Sequence, residues 1–302
     1  MIQDSINKSY EAQESHYDDL LIENELSDHA KTWLLEGTID EWRHLRMYNM
    51  LIPLILSMEN PKWLTVGDGR MGSDAHFLES QNVDVIATDI SDTILSRAYK
   101  LGFIKKYRKE NAEKLSFDNE EFDFVLCKES YHHFPRPYIA VYEMLRVAKK
   151  GIVLIEPADQ YVDSTILQIP FRNLKDFLRR KLKNRSIRND FETSGNYVYR
   201  MSQREVEKIA YGLSLKTIAF YGMNDYFIPG IGTTLVNKSS AGFTKLKAFI
   251  KLQDILCKLG FLKPSLLITV IFKDAVSEEI KNNLRSANYK VMDLVENPYL
   301  GK

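Results

Sequence analysis

The chain has 302 residues, enough for one large domain or two ordinary ones. Hydrophobic residues make up 44% and charged residues 27%, which excludes a disordered chain, a collagen-like rod and a disulfide-rich miniprotein. Lys plus Arg and Asp plus Glu both number 41, and this balance argues against wholesale electrostatic capture of nucleic acid or of a membrane.

The N-terminus has neither the basic region nor the apolar region of a secretory signal. The longest apolar runs fall short of the roughly 20 residues that span a bilayer. Cys127 and Cys257 lie in apolar stretches without metal-ligand spacing, which predicts buried free thiols in a reducing compartment. The sequence therefore predicts a cytoplasmic protein with no transmembrane segment.

The first 58 residues read as helical. Residues 11–28 hold seven acidic residues and no Lys or Arg, and an amphipathic helical pattern follows until Pro53 interrupts it. From residue 62, short apolar runs at 63–66, 83–87, 122–127 and 152–155 alternate with helical patterns from Ser73, after Ser91 and over 136–149. This alternation predicts βαβ units and a parallel sheet.

The second half of the chain does not continue this alternation of strands and helices. Residues 162–188 are helical and basic in pattern, and Ser202 with Glu205 forms a capping-box pattern. Runs at 215–221 and 266–272 read as strands, with an apolar-periodic helix between them that Gly260 stops. Because no Pro/Gly/Ser-rich linker separates the halves, the sequence predicts one elaborated domain.

A glycine-rich segment follows the first strand of this pattern. Gly67, Gly69 and Gly72 precede a helix, where backbone N–H groups can approach a ligand. Asp89 ends the second strand 22 residues after Gly67, and an acidic residue at that position can accept both hydroxyls of a ribose. These two features fit either a dinucleotide dehydrogenase or an S-adenosylmethionine (SAM) enzyme.

The order of the next motifs separates these two classes. The strand that ends at Lys128 is preceded by Asn111-Ala112-Glu113 and followed by Glu129-Ser130-Tyr131-His132-His133-Phe134. Residues 142–148 and 151–157 come next. Over residues 60–160 this succession resembles the class I SAM-dependent methyltransferases. The resemblance implies an α/β fold, a Rossmann-like three-layer sandwich with a seven-stranded, mostly parallel sheet, an antiparallel last strand and helical lid insertions.

The resemblance also implies cofactor contacts. Gly67 and Gly69 would line the methionine part of SAM, Asp89 would hold the ribose, and Ile90 would pack on the adenine. Asn111 and Ala112 would meet the adenine edge, and Lys128 with Glu129 would lie near the sulfonium.

Two positions depart from the family pattern. Thr65 stands where the family usually has an acidic residue, and Asp68 is the candidate that could supply the missing charge. Asn111 replaces a common Asp and keeps a carbonyl acceptor.

The resemblance divides the single predicted domain into three parts. Residues 1–58 would form an N-terminal helical lid segment, and 59–157 the SAM-binding core. Residues 158–302 would hold the acceptor-side insertions, the last two strands and a C-terminal tail.

The basic segment at 172–188 has eight basic residues against Asp176, together with an apolar stripe at helical spacing. It could be a docked amphipathic helix with a solvated basic face, or it could pair with the acidic segment 11–28. Its functional interpretations are an anionic acceptor, a membrane surface or RNA, and the few aromatic residues make RNA the weakest of them.

His132 and His133 follow the fourth strand of the family fold, where acceptor and sulfonium would meet. A neutral imidazole can remove a hydroxyl proton near pH 7, so the sequence predicts His133 as the base, with His132 second and Glu129 orienting the base. We see no metal-ligand constellation and expect no metal.

The predicted function is SAM-dependent O-methylation of a sugar or glycan precursor, as in polysaccharide biosynthesis. The alternatives are a small-molecule or quinone-like acceptor, a non-catalytic methyltransferase-like scaffold, and an NAD-dependent oxidoreductase, in which the histidine pair would have no role. The expected partner is a small or glycan acceptor, with an anionic one included. Nucleic acid is disfavoured, and the sequence does not fix the oligomeric state.

Overall fold

The structure is a computed structural model that describes residues 2–18, 20–22, 25–162, 167–183, 190–191, 196–236 and 240–299. Its helices in chain order are α1 (Ile2–Asp18), α2 (Asp28–Lys31), α3 (Ile39–Tyr48), α4 (Ile52–Ile55), α5 (Ser73–Ser80), α6 (Thr93–Lys100), α7 (Pro137–Val147), α8 (Gln168–Lys183), α9 (Gln203–Gly212), α10 (Ala241–Lys258) and α11 (Glu278–Ser286). Short 3₁₀ helices cover Thr32–Leu34, Asn49–Leu51 and Tyr131–His133.

The strands form one large sheet and one small hairpin. In chain order they are β1 (Leu21–Ile22), β2 (Glu25–Leu26), β3 (Lys62–Val66), β4 (Asp84–Asp89), β5 (Tyr107–Lys109), β6 (Phe122–Lys128), β7 (Ala148–Pro157), β8 (Thr217–Met223), β9 (Leu266–Phe272) and β10 (Lys290–Asp293). Strands β1 and β2 make the hairpin.

The large sheet has the order β10-β8-β9-β7-β6-β3-β4-β5. Strands β3 to β7 pair in parallel, β9 is antiparallel to both β7 and β8, and β10 is antiparallel to β8. The predicted Rossmann-like α/β fold with an antiparallel strand among the last ones is confirmed. The predicted count of seven was wrong by one, because the short β10 adds an eighth strand.

Hydrophobic clusters cover both faces of the sheet. On β3, Trp63 packs into one buried cluster and Leu64 into another, as expected for neighbouring residues of a strand with both faces covered. The carboxyl ends of the parallel strands meet at one edge, and the chain reverses its direction of travel across the sheet at β3. This is the position where open α/β sheets form a ligand crevice.

Several local predictions can be checked on the described residues. The capping box of Ser202 and Glu205 opens α9 as predicted. Pro53 does interrupt the amphipathic pattern, but it lies in the first turn of the short α4, where its missing N–H costs no hydrogen bond.

Cys127 is buried, whereas Cys257 is only half-buried, because α10 exposes part of its surface. None of the described helices combines the length and hydropathy needed to cross a bilayer.

Candidate active site

The loop at 67–72 connects β3 to α5 at the crevice. Gly67 has φ of 77°, and a Cβ at this position would lie 2.4 Å from the Cβ of Ser130. The N–H groups of Gly67 and Asp68 both donate to the Thr88 carbonyl at 2.9 Å, which ties the loop to β4. Only glycine fits at position 67, because the opposite wall of the crevice touches its backbone.

An open cavity with about 480 Å³ of empty space lies beside this loop. The cavity is lined by Tyr10, Gln13, Val66, Gly67, Asp89, Ile90, Glu110, Ala112, Ser130, His133, Phe134 and Pro135. Helix α1 therefore contributes to the wall, together with the ends of β3 and β4.

Asp89, the predicted ribose-binding acid, is buried in the wall of this cavity. Its carboxylate accepts a hydrogen bond from the Ser91 N–H at 3.0 Å and others from the N–H groups of Gly69 and Ile90. Burial raises the pKa of Asp89 to about 7, and these N–H donors only partly oppose that effect. Gly69 therefore contacts Asp89 through its backbone N–H group.

Asp68, the candidate for the missing acidic charge, is buried beneath the loop and contacts Thr65. Its carboxylate accepts hydrogen bonds from the Asp74 and Ala75 N–H groups at 3.1 and 2.9 Å, at the N-terminus of α5, and from the Thr65 hydroxyl at 2.9 Å. Burial and the Asp74 charge raise its pKa well above the ordinary value. Asp68 therefore stabilises the loop from beneath, because unsatisfied N–H groups at a helix start attract a carboxylate.

The predicted adenine-binding residues divide into two groups. Ile90 and Ala112 line the cavity. The side-chain oxygen of Asn111 instead accepts the Glu113 N–H at 2.8 Å, which stabilises the local turn. The neighbouring Glu110, which was not predicted, also lines the cavity and holds the Ser116 N–H at 2.9 Å.

Lys128, which was predicted to lie near the sulfonium, is a buried cation that pairs with two carboxylates. Its ammonium lies 3.2 Å from Asp74, 3.4 Å from Glu129 and 5.2 Å from the centre of the Tyr48 ring. Burial lowers the pKa of Lys128, but Asp74 and Glu129 outweigh burial and raise it. The Tyr48 hydroxyl donates a hydrogen bond to Asp74 at 2.6 Å, so Lys128, Asp74 and Tyr48 form one connected network beneath the loop.

Glu129 follows β6 with φ of 52° and faces helix α3. Its Oε2 lies 3.5 Å from His44 Nδ1, and a third of its side chain is exposed. Burial raises the pKa of Glu129, but Lys128 and Arg43 outweigh burial, and the net pKa is lowered. Glu129 is therefore an anion among cations at the edge of the crevice.

We call Asp40, Arg43, His44, Arg70 and Glu129 the α3 cluster. Arg70 contacts both Asp40 and His44, and burial, Lys128 and Arg70 lower the pKa of His44. The ring is therefore neutral, and its Nε2 accepts from Arg70, since a guanidinium cannot accept. Within the cluster, Arg70 Nε and His44 Nδ1 are buried and have no hydrogen-bond partner among the described residues. The cluster thus retains donor capacity for an anionic group.

His132 forms a dyad with Glu156, at the end of β7. Its Nδ1 lies 2.6 Å from Glu156 Oε2, and the other Glu156 oxygen accepts the N–H groups of Ser130 and Tyr131 at 2.9 Å. Glu156 is completely buried, so these contacts fix its position. A carboxylate can only accept from a neutral His132 at Nδ1, which makes Nε2 the basic atom of the ring.

His133 lies beside His132, with the ring centroids 3.9 Å apart, and lines the cavity. Its Nδ1 is 3.1 Å from the Asn196 amide nitrogen, and the Asn196 oxygen accepts from Gln13 at 2.6 Å. In this hydrogen-bond arrangement His133 Nδ1 is an acceptor, so its proton is assigned to Nε2. Glu129 was predicted to orient the base, but the carboxylate in contact with His132 is Glu156.

Sequence reasoning missed several residues of the site. Glu156 lies near the end of an apolar strand, and a single acidic residue in such a strand could have indicated a functional side chain. Tyr48 and Asp74 gave no such signal, because they lie in helical patterns and meet Lys128 only in the fold. Tyr10 and Gln13 come from an N-terminal helix far away in sequence. Within the described ranges, no group of three or more His, Cys, Asp and Glu residues could hold a metal ion.

The residues at the cavity fit SAM. Gly67 leaves space where a side chain would collide, Asp89 offers a carboxylate, and Ile90 and Ala112 offer apolar contacts. These groups match a ribose and an adenine. NAD would find an acidic residue at the same position, so the glycine loop and Asp89 alone do not distinguish the two.

Comparison with known proteins supplies the distinction. Residues 64–155 match the family model described as a methyltransferase domain. The YcgJ protein from Bacillus subtilis is 17% identical, with a TM-score of 0.47, over 76% of this chain and 100% of that one. A SAM-dependent methyltransferase from Archaeoglobus fulgidus is 14% identical, with a TM-score of 0.47, over 76% of this chain and 94% of that one. No curated protein matches the sequence.

Proposed function

We propose that this chain, a class I SAM-dependent methyltransferase, methylates a hydroxyl group of a sugar or glycan precursor. The observation that carries this proposal is the contact between His132 and the buried Glu156 at the carboxyl edge of the sheet. Methylating a hydroxyl requires a group that takes its proton, and a neutral imidazole held by a carboxylate suits that task.

When bound, SAM supplies a methyl group on a sulfonium centre. Gly67, Asp89, Ile90 and Ala112 would hold it. His132 would accept the proton of the acceptor hydroxyl at Nε2. Glu156 holds the other ring nitrogen and would stabilise the imidazolium that forms, as the buried aspartate of a Ser-His-Asp triad does.

We assign the base to His132 in preference to His133, which the sequence favoured. The hydrogen bond from Asn196 places the proton of His133 on Nε2, so this ring can donate a hydrogen bond but is a poor base in that tautomer. His133 lines the cavity and would therefore orient a bound molecule.

The polarity of the α3 cluster supports a hydroxylated acceptor. Asp40, Arg43, Arg70 and Glu129 form ion pairs beside the loop and β6, and covering such charged groups with an apolar quinone-like acceptor costs free energy. A sugar can exchange hydrogen bonds with them. The lid role of residues 1–58 belongs to the same proposal, because α1 already forms part of the cavity wall.

Methyl transfer from labelled SAM to a panel of nucleotide sugars and quinone-like phenols tests the acceptor class. We expect labelled product from a sugar, whereas transfer only to the phenols would contradict the proposal. With that acceptor, His132→Ala should lower kcat by roughly 10²–10⁴-fold with unchanged SAM affinity, as for a lost general base.

Two variants serve as comparisons for His132→Ala. His133→Ala should raise KM more than it lowers kcat. Glu156→Gln should move the rising limb of the kcat–pH profile to lower pH, because the loss of a neighbouring carboxylate makes the imidazole easier to deprotonate. An equal loss of kcat in both histidine variants would contradict the assignment of the base.

A further inference from the structure

Helix α10 leaves an apolar stripe uncovered on its outer face. Its inner face buries Phe243, Leu246 and Ile250 in a cluster with Ile39. The outer stripe consists of Leu252, Ile255 and Leu259, each 45–57% exposed and spaced three and four residues apart. The helix is therefore docked on one side and apolar on the other.

Helix α8 has a similar exposed stripe. Leu167 lies just before this helix, and Leu174, Phe177 and Leu178 lie on it, with 44–54% of each residue exposed. Leu167, Leu174 and Leu178 fall at helical spacing on one side. The docked amphipathic helix that the sequence suggested is thus contradicted for these residues. Arg185 and Arg188 lie outside the described residues.

Both helices are strongly basic in a chain of zero formal net charge. The sequence of α8 contains six Lys or Arg residues and one acid, Asp176, and that of α10 contains four lysines and one acid, Asp254. The lysines of α10 (Lys245, Lys247, Lys251 and Lys258) are all exposed. Positive charge is therefore concentrated on the two helices that also expose leucine.

The start of α8 lies beside the loop that follows α10, at the carboxyl edge of the sheet. The Gln168 side chain, at the start of α8, donates to the Leu262 carbonyl, after the end of α10, at 3.5 Å. Gln160 donates to the Pro264 carbonyl at 2.7 Å. Strand β9 begins two residues later, opposite the end of β7. The α8–α10 surface, defined by these two exposed stripes, thus lies on the same edge of the sheet as the cavity.

We propose that the α8–α10 surface binds an anionic lipid bilayer in the plane of its headgroups. Helices with an apolar stripe and many Lys or Arg residues lie in that plane, with the leucines among the acyl chains and the cations on anionic headgroups. A second copy of this chain is a poor occupant, because pairing the two surfaces would bring like charges together. The acidic segment is also disfavoured, since Glu14 of α1 pairs with Lys109.

Cosedimentation of the full chain with vesicles tests this proposal without any acceptor, so its outcome is independent of the proposed function. We expect binding to vesicles of phosphatidylcholine mixed with phosphatidylglycerol, weaker binding at high salt, and little binding to phosphatidylcholine alone. Leu252→Asp with Leu259→Asp, and Leu174→Asp with Leu178→Asp, should each weaken binding by about tenfold or more, since each buried leucine contributes about 1.5–3 kcal/mol.

Leu56→Asp is the matched control, because Leu56 is 79% exposed at the end of α4, on a different element. It should bind vesicles like the wild type, and all variants should keep their SAM affinity, which shows that they are folded. Failure of the wild type to bind the anionic vesicles would overturn the proposal. So would unchanged vesicle binding in both double variants, or a wild-type dimer that the double variants dissociate.

Discussion

The Asp89 carboxyl is buried, yet its proposed role, accepting both hydroxyls of a ribose, requires the charged form. Its pKa of about 7 lies above the ordinary value of 3.8 because burial disfavours the anion more than the three N–H donors favour it. The folded state therefore binds this proton more tightly than the unfolded state does. Asp89 stabilises the fold fully below pH 3.8, and this contribution is lost as the pH rises to about 7.

Asp89→Asn should remove this pH dependence. Between about pH 4 and 7, the wild type should lose up to about 1.4 kcal/mol of unfolding free energy per pH unit relative to the variant. Denaturant unfolding across that range measures the difference. SAM affinity should fall by about 10- to 100-fold in the variant, because a hydrogen bond to a charged group contributes about 1.5–3 kcal/mol.

Asp84→Asn is the control for this experiment, since Asp84 starts the same strand and is half-exposed beside Lys106. It should change stability by less than about 1 kcal/mol, as for an exposed ion pair. Parallel pH–stability curves for Asp89→Asn and the wild type would show that the carboxyl titrates normally in the fold.

Among the elements, helix α1 forms part of the cavity wall through Tyr10 and Gln13. Gln13 donates to Asn196 and Glu14 pairs with Lys109, so the helix is attached on two sides. Tyr10→Ala should increase the dissociation rate of SAM and weaken its binding by about tenfold, because the cavity loses an aromatic wall and opens to water.

Stopped-flow or calorimetric measurement of SAM binding checks this expectation. Glu11→Ala is the control, since Glu11 is an exposed neighbour on the same helix, and it should bind like the wild type. Equal affinity in the Tyr10→Ala variant would mean that α1 does not close the site.

The sequence predicted the central elements well and the outer ones poorly. Strand β9 and residues 124–127 of β6 are mostly apolar, because both faces of these strands are buried, and such runs are easy to recognise. The edge strands β5 and β10 have only three and four residues, and two residues of each are charged. Edge strands are often short and charged, since this discourages pairing with other chains, and their sequences then resemble loops.

For the whole molecule, the sheet edge organises the site by joining residues that are far apart in sequence. The sequence motifs predicted that Gly67, Asp89, Ile90 and Ala112 lie near one another, because each residue is at the end of a strand or in the loop after it. They could not identify Glu156 as the partner of His132, since that contact depends on the register between β6 and β7. Nor could they show that Lys128 turns inward to Asp74.

Calorimetric titration of the full chain with SAM, its demethylated product and NAD, first each alone and then SAM in the presence of the product, shows which cofactor this site binds. We expect SAM and its demethylated product to bind at one site and to compete for it, with binding weakened by Asp89→Asn, and we expect no binding of NAD. Binding of NAD alone would show that the chain is not a SAM-dependent enzyme, and a folded protein that binds none of the three would show that the cavity holds neither cofactor.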